Sequence, residues 1–232
     1  MGHNGRPSGE MRFAPQLHTR TGMTIDDAIL AVAAGAAEGA RATGVRTGLL
    51  LCCLRHQSPE ISLAVADAAV RHGGIVGLDL AGDERLPGAP HREAFDLARS
   101  GGLPVTVHAG EAAGPESVWE AIDVLGARRI GHGVRITGDS GLVDRLLRDR
   151  IALEMCPRSN VLTGAAPSIH EHPADRLLHR GLAVTISTDG RTTADTDLSR
   201  EFDLLAEAFA WGAAEIVRVQ ENARHAAFGL PR

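Results

Sequence analysis

His108 and Glu111 stand in VTVHAGE, His132 in RIGHG and Asp189 in ISTDG. Imidazole and carboxylate are the ligand types a catalytic zinc takes, and such a metal lowers the pKa of a bound water toward ~7. His108 and Asp189 are therefore candidate metal ligands. Ala109 and Gly110 are small enough for a tight turn, which would set Glu111 beside a metal without binding it and so suit it to a general acid. His132 completes the set. Each has a plainer reading when taken alone: a histidine at a strand end is more often a hydrogen-bonded structural residue, and an Asp before Gly is usually a turn residue. The chemical reading gains because all four fall at the ends of strand-like runs.

Those runs imply the scaffold. Short apolar segments alternate with longer helix-like ones, the βαβ pattern of a parallel sheet. The strand candidates are Met11 to Pro15, Thr47 to Leu54, Ile75 to Ala81, Pro104 to His108, Arg129 to Gly133, Ile151 to Cys156 and Ala183 to Asp189. Helices are expected over Thr24 to Ala42, Pro59 to His72, His91 to Ser100, Pro115 to Leu125, Ser140 to Asp149, Pro173 to Arg180 and Asp197 to about Phe209. Such a sheet either opens as a doubly wound fold or closes as a barrel. The strand ends LDLAGD, TVHAGE, IGHG, EMCPRSN and STDG spread polar residues over several strands, as a (β/α) barrel does at its C-terminal face. A doubly wound fold would concentrate its signal in one GxGxxG turn, and none is present. The expected fold class is thus α/β, a TIM-type barrel.

Composition narrows the partners. The 232 residues, 44% hydrophobic and 23% charged, suit a single folded domain. A net charge of −5 without a basic stripe argues against nucleic acid as partner. No apolar run approaches the ~20 residues of a membrane helix, so no membrane partner is expected. The three cysteines, Cys52, Cys53 and Cys156, form no CxxC. They read as buried thiols of a reducing compartment, which favours the cytoplasm. Residues 1–10, MGHNGRPSGE, read as a flexible leader before a domain over 11–232.

LDLAGDE, VTVHAGE, RIGHG, LEMCPRSNVLTGA, HP and STDG occur in that order between Leu78 and Gly190, inside a resemblance that runs from RFAPQLHT at Met11 to about Phe228. The series resembles the motifs of the adenosine deaminase family. The resemblance implies a metal-dependent (β/α)8 barrel of purine metabolism that uses Zn2+ to hydrolyse the 6-amino group of a small-molecule purine nucleoside, giving inosine and ammonia from adenosine. Carried over residue by residue, it makes His108 and Asp189 zinc ligands and gives Glu111 the protonation of purine N1. His132 would accept the proton of the attacking water and orient it, and the Gly82 backbone amide would meet purine N3. Glu154 is a candidate support for His132, or a buried structural acid. The smaller zinc deaminases use H-x-E with P-C-x-x-C. HAGE has another spacing, and Cys156 has no partner cysteine.

Two departures stand out. Family members begin with a strand carrying His-x-His, which supplies further zinc ligands, and no such strand appears here. His3 is solitary, and His170 and His172 read as loop residues near a helix start. The expected barrel therefore has seven strands, weak zinc binding and open edges through which copies could self-associate. Gly190 replaces the acid that commonly follows the ligand Asp. The alternatives to an adenosine deaminase are accordingly a catalytically impaired remnant, or a relative acting on another 6-aminopurine.

Overall fold

The structure, a computed structural model, describes residues 8–229, and it forms two compact units. One contains the described residues up to Thr106 and those from Ala227 on; the other is Val107–Ala226. Among the described residues seven strands follow the order of the chain, β1 to β7.

In the first unit β1 (Ser8–Phe13) runs parallel to β2 (Arg46–Leu54), and β2 runs parallel to β3 (Ile75–Ala81). β1 begins at Ser8, within the expected leader; residues 1–7 lie outside the described residues. Between β1 and β2 lies α1 (Ile25–Thr43), which starts where Thr24 and Asp27 each accept the other's backbone N–H. That reciprocal box satisfies two donors the first turn would otherwise leave open. α2 (Pro59–Arg71) opens on a proline, whose missing N–H costs nothing there. α3 (Arg92–Ser100) packs against α2. β2 and β3 read as near-continuous apolar runs because both of their faces are covered: Leu50, Leu51, Leu78 and Leu80 are all buried. Each such side chain contributes roughly 1.5–3 kcal/mol on leaving water.

β4 (Val105–Ala109) leads into the second unit, where β5 (Arg129–His132) pairs in parallel with β6 (Ala152–Met155), and β6 with β7 (Val184–Ile186). The helices here are α4 (Pro115–Asp123), α5 (Ser140–Asp149), α6 (Pro157–Leu162), α7 (Ala174–His179), α8 (Arg191–Ala194), α9 (Leu198–Phe209) and α10 (Ala213–Ala226). Asp139 caps α5 through Leu142 N–H and also accepts from Trp119, fixing α5 against α4. α10 is tied to the strands by Asn222 Nδ2 donating to Val184 O and by Arg129 Nη1 donating to Ala226 O.

The expected elements are present with ends shifted by at most three residues, β3 and α5 matching at both ends, and the structure adds α6, α8 and α10. The first two are too short to carry a periodic apolar stripe. α10 buries little beyond Val219, so its pattern is faint. β7 is shorter than expected: after Ile186 the chain leaves the strand, and Asp189 sits in a loop with φ 55°. Among the described residues, no helix is long and apolar enough to cross a membrane.

Candidate active site

His108, Glu111, His132 and Asp189 all belong to the second unit. His108 lies near the end of β4, and the chain then turns through Gly110 at φ +73°, a left-handed conformation that favours glycine. Gly110 N–H donates to Ser117 Oγ in the first turn of α4, so the helix start holds the turn. Glu111 follows directly and keeps its side chain partly open to solvent.

His132 ends β5 in a left-handed conformation, φ 67°. Such a backbone costs a non-glycine residue energy and persists where its surroundings enforce it. Here two backbone bonds do so: Gly133 N–H reaches Ala109 O at 3.0 Å and Arg135 N–H reaches Gly110 O at 2.8 Å. They lace the loop after β5 to the loop after β4 and bring His132 Nε2 to 3.4 Å from Glu111 Oε2. Gly131 makes room beside them, since a Cβ there would lie 3.2 Å from the His108 Cα and 3.3 Å from its Cγ. The His108 and His132 rings sit 5.0 Å apart between centroids.

The segment after β6 supplies partners that the sequence reading left without roles. Thr163 Oγ1 donates to Glu111 Oε1 at 2.9 Å, so each carboxylate oxygen has a neighbour. Ser159 Oγ donates to Asp189 Oδ2 at 2.7 Å. Asn160, fully buried, places Nδ2 2.9 Å from His132 Nδ1 and Oδ1 3.1 Å from His172 Nε2. His170 and His172, treated alike in the sequence, part here: His170 is exposed and His172 is buried. Burial, with His132 nearby, pushes the His172 ring down to about 4, so it is uncharged at neutral pH. The one available signal for Ser159, Asn160, Thr163 and His172 was that they lie within LEMCPRSNVLTGA and HP. Glu154 forms a buried ion pair with Arg129, Oε1 to Nε 2.5 Å, while the hydrogen bond to His132 Nδ1 comes from Asn160.

Gly82 belongs to the first unit and has φ +94°; a Cβ there would meet His56 Nδ1 at 3.0 Å and Arg55 N at 3.2 Å. Local geometry alone thus requires glycine. At Gly190, which caps α8, a Cβ would fall 2.4 Å from Thr193 Oγ1. A groove of about 460 Å3 along α8, lined by Arg191, Thr192, Asp195, Thr196, Asp197 and Arg200, includes none of the candidate residues.

His108 and Asp189 have the donor chemistry of zinc ligands, but a catalytic zinc takes three protein ligands. Among the described residues, no group of three or more His, Cys, Asp or Glu side chains gathers to hold a metal. The described residues do not by themselves complete a zinc site.

The model of the adenosine deaminase family matches residues 4–231. The chain belongs to the adenosine deaminase family. It is 42% identical over 236 residues to the adenosine deaminase of Mycobacterium ulcerans (strain Agy99), covering 94% of this chain and 65% of that protein. The chain therefore spans just under two thirds of the length of that relative. Among solved structures, adenine deaminase from Arthrobacter aurescens superposes with a TM-score of 0.91 at 28% identity, covering 96% of this chain and 69% of the other. The N6-methyl-AMP deaminase of Arabidopsis thaliana superposes with a TM-score of 0.83 at 25% identity, over 97% and 68% of the two chains. The α/β fold read from the sequence is the fold of these deaminases.

Proposed function

We propose that this chain carries the proton-handling part of a hydrolytic purine deaminase site, which releases the 6-amino group of adenosine or a related 6-aminopurine as ammonia. The observation that carries this reading is the Glu111–His132 pair, 3.4 Å apart and laced together by the loops after β4 and β5. Glu111, steadied by Thr163, is assigned to protonate a purine ring nitrogen, which makes the adjoining carbon electrophilic. His132 is assigned to hold the attacking water. The Gly82 backbone amide is assigned to the purine. His108 and Asp189 are assigned to zinc, together with donors that the described residues do not include.

A second reading, another 6-aminopurine as substrate, is supported by Gly190 and by the names of the solved relatives, one an adenine and one an N6-methyl-AMP deaminase. The reducing compartment suggested by the cysteines and pairing of further chains at β1 or β7, the two ends of the strand order, belong to the same proposal. The test is ammonia or methylamine release from adenosine, adenine and N6-methyl-AMP by the purified chain with added zinc. Glu111→Gln should lower turnover of the preferred substrate about 10²-fold or more. Equal turnover by the variant overturns the assignment of Glu111, and no release from any of the three favours an impaired remnant.

A further inference from the structure

His172 has no role in the proposed chemistry, yet it is buried on the far side of Asn160 from His132. Two backbone groups, whose donor character is beyond choice, set the direction of the hydrogen bonds in this cluster. Ala174 N–H donates to His172 Nδ1 at 3.2 Å. The Nδ1 lone pair is thereby used, and the single proton of the neutral ring lies on Nε2. That proton points to Asn160 Oδ1, 3.1 Å away. Cys156 N–H approaches the same oxygen at 3.3 Å. With its oxygen held by two donors, the Asn160 amide must turn its NH2 toward His132 Nδ1, 2.9 Å away. An NH2 group only donates, so His132 Nδ1 must accept, and the proton of the neutral His132 ring lies on Nε2.

We propose that His172 and Asn160 are positioning residues that fix His132 as its Nε2–H tautomer, through a one-way chain of hydrogen bonds starting at the Ala174 backbone N–H. The inference deepens the deaminase reading and rests on it for the importance of His132. It also refines that residue's role. In this state His132 offers its one Nε2 hydrogen either to Glu111 Oε2 or to the oxygen of a water in its place. Taking the water's proton at Nε2 would need a lone pair that this tautomer does not have there. The low affinity of His172 for a second proton keeps the chain in this sense at neutral pH, because a charged His172 would lose the acceptor that Ala174 N–H uses.

The test reads tautomers directly, on the full 15N-labelled chain without purine, by long-range 1H–15N correlation of the histidine rings at neutral pH. Both His132 and His172 should carry the proton on Nε2. An unconstrained histidine favours that tautomer too, so the decisive arm is Asn160→Asp. The carboxylate there can still accept from His172 and Cys156, but it must also accept from His132, and the His132 proton should move to Nδ1. His172→Leu should reduce the Nε2–H population of His132, and His172→Gln, whose amide N–H can donate to Asn160, should preserve it. Nδ1–H on His132 in the wild type, or an unchanged His132 tautomer in Asn160→Asp, overturns the proposal. Unchanged His132 signals in His172→Leu remove His172 from the chain, and if that variant does not fold, Asn160→Asp decides. Because no arm uses turnover, an inactive wild type would count against the deaminase reading and leave these outcomes intact.

Discussion

Two buried polar clusters, one in each unit, satisfy their members in different ways. In the first, Asp79 on β3 is fully buried as a charge, answered by Arg12 Nη1 from β1 at 3.2 Å and by Cys52 Sγ from β2 at 3.1 Å. In the second, the Ala174–His172–Asn160–His132 chain needs no net charge, and each link is satisfied by a neutral donor and acceptor. A buried charge demands an opposite charge close by, and here that demand joins strands. A neutral chain has direction, because every member must donate to one side and accept from the other, so it can specify where a proton sits. The second unit also holds the Arg129–Glu154 ion pair, which joins β5 to β6 while Arg129 reaches the end of α10. Strand joining and proton placement are thus separate tasks given to separate residues.

The largest expected effect breaks the ion pairs. Arg129→Met removes the guanidinium paired with the buried Glu154, 5% exposed, and should cost about 3–5 kcal/mol in urea unfolding. Arg129→Met with Glu154→Met should recover most of that loss. Arg12→Met should cost less, about 1–3 kcal/mol, because the Arg12 side chain is 28% exposed and solvent can reach the gap. Equal costs at the two sites would show that burial does not rank them.

A smaller effect sharpens the neutral side of the comparison. The unfolded chain takes up a proton on His172 as pH falls below the ordinary 6.5, whereas the folded chain resists until about 4. The extra proton on the unfolded state favours unfolding, so this contribution is whole above about pH 6.5 and is lost as pH falls toward 4, by on the order of 3 kcal/mol. His172→Gln cannot titrate, and its stability relative to wild type should rise over that window. A constant difference between the two would contradict the burial of a neutral ring.

The smallest effect concerns the thiols. Burial pushes the Cys53 thiol up to about 12, and burial with Asp79 beside it holds Cys52 well above the usual thiol range. All three cysteines are free and buried. An alkylating reagent should leave the folded chain unmodified at neutral pH and label all three after unfolding, as read by mass spectrometry. Rapid labelling of Cys52 or Cys53 in the native chain would mean that the first unit opens around them.

The sequence by itself determined the order of strands and helices, since apolar runs, helix-start residues and glycine turns act locally along the chain. It also marked His108, Glu111, His132 and Asp189, because their motifs combine reactive side chains with the small residues that let them approach. Only His172 stands in the HP motif, but the sequence did not say that His172 is buried and His170 exposed, because that depends on which side of the loop packs inward. Nor could it give Glu154 to Arg129 and His132 to Asn160, because those choices depend on which strands and loops meet across more than twenty residues of sequence. The tautomer of His132 lies furthest from the sequence. It depends on two backbone N–H groups, Ala174 and Cys156, that any residue but proline would offer, and only the tertiary fold aims them at His172 and Asn160.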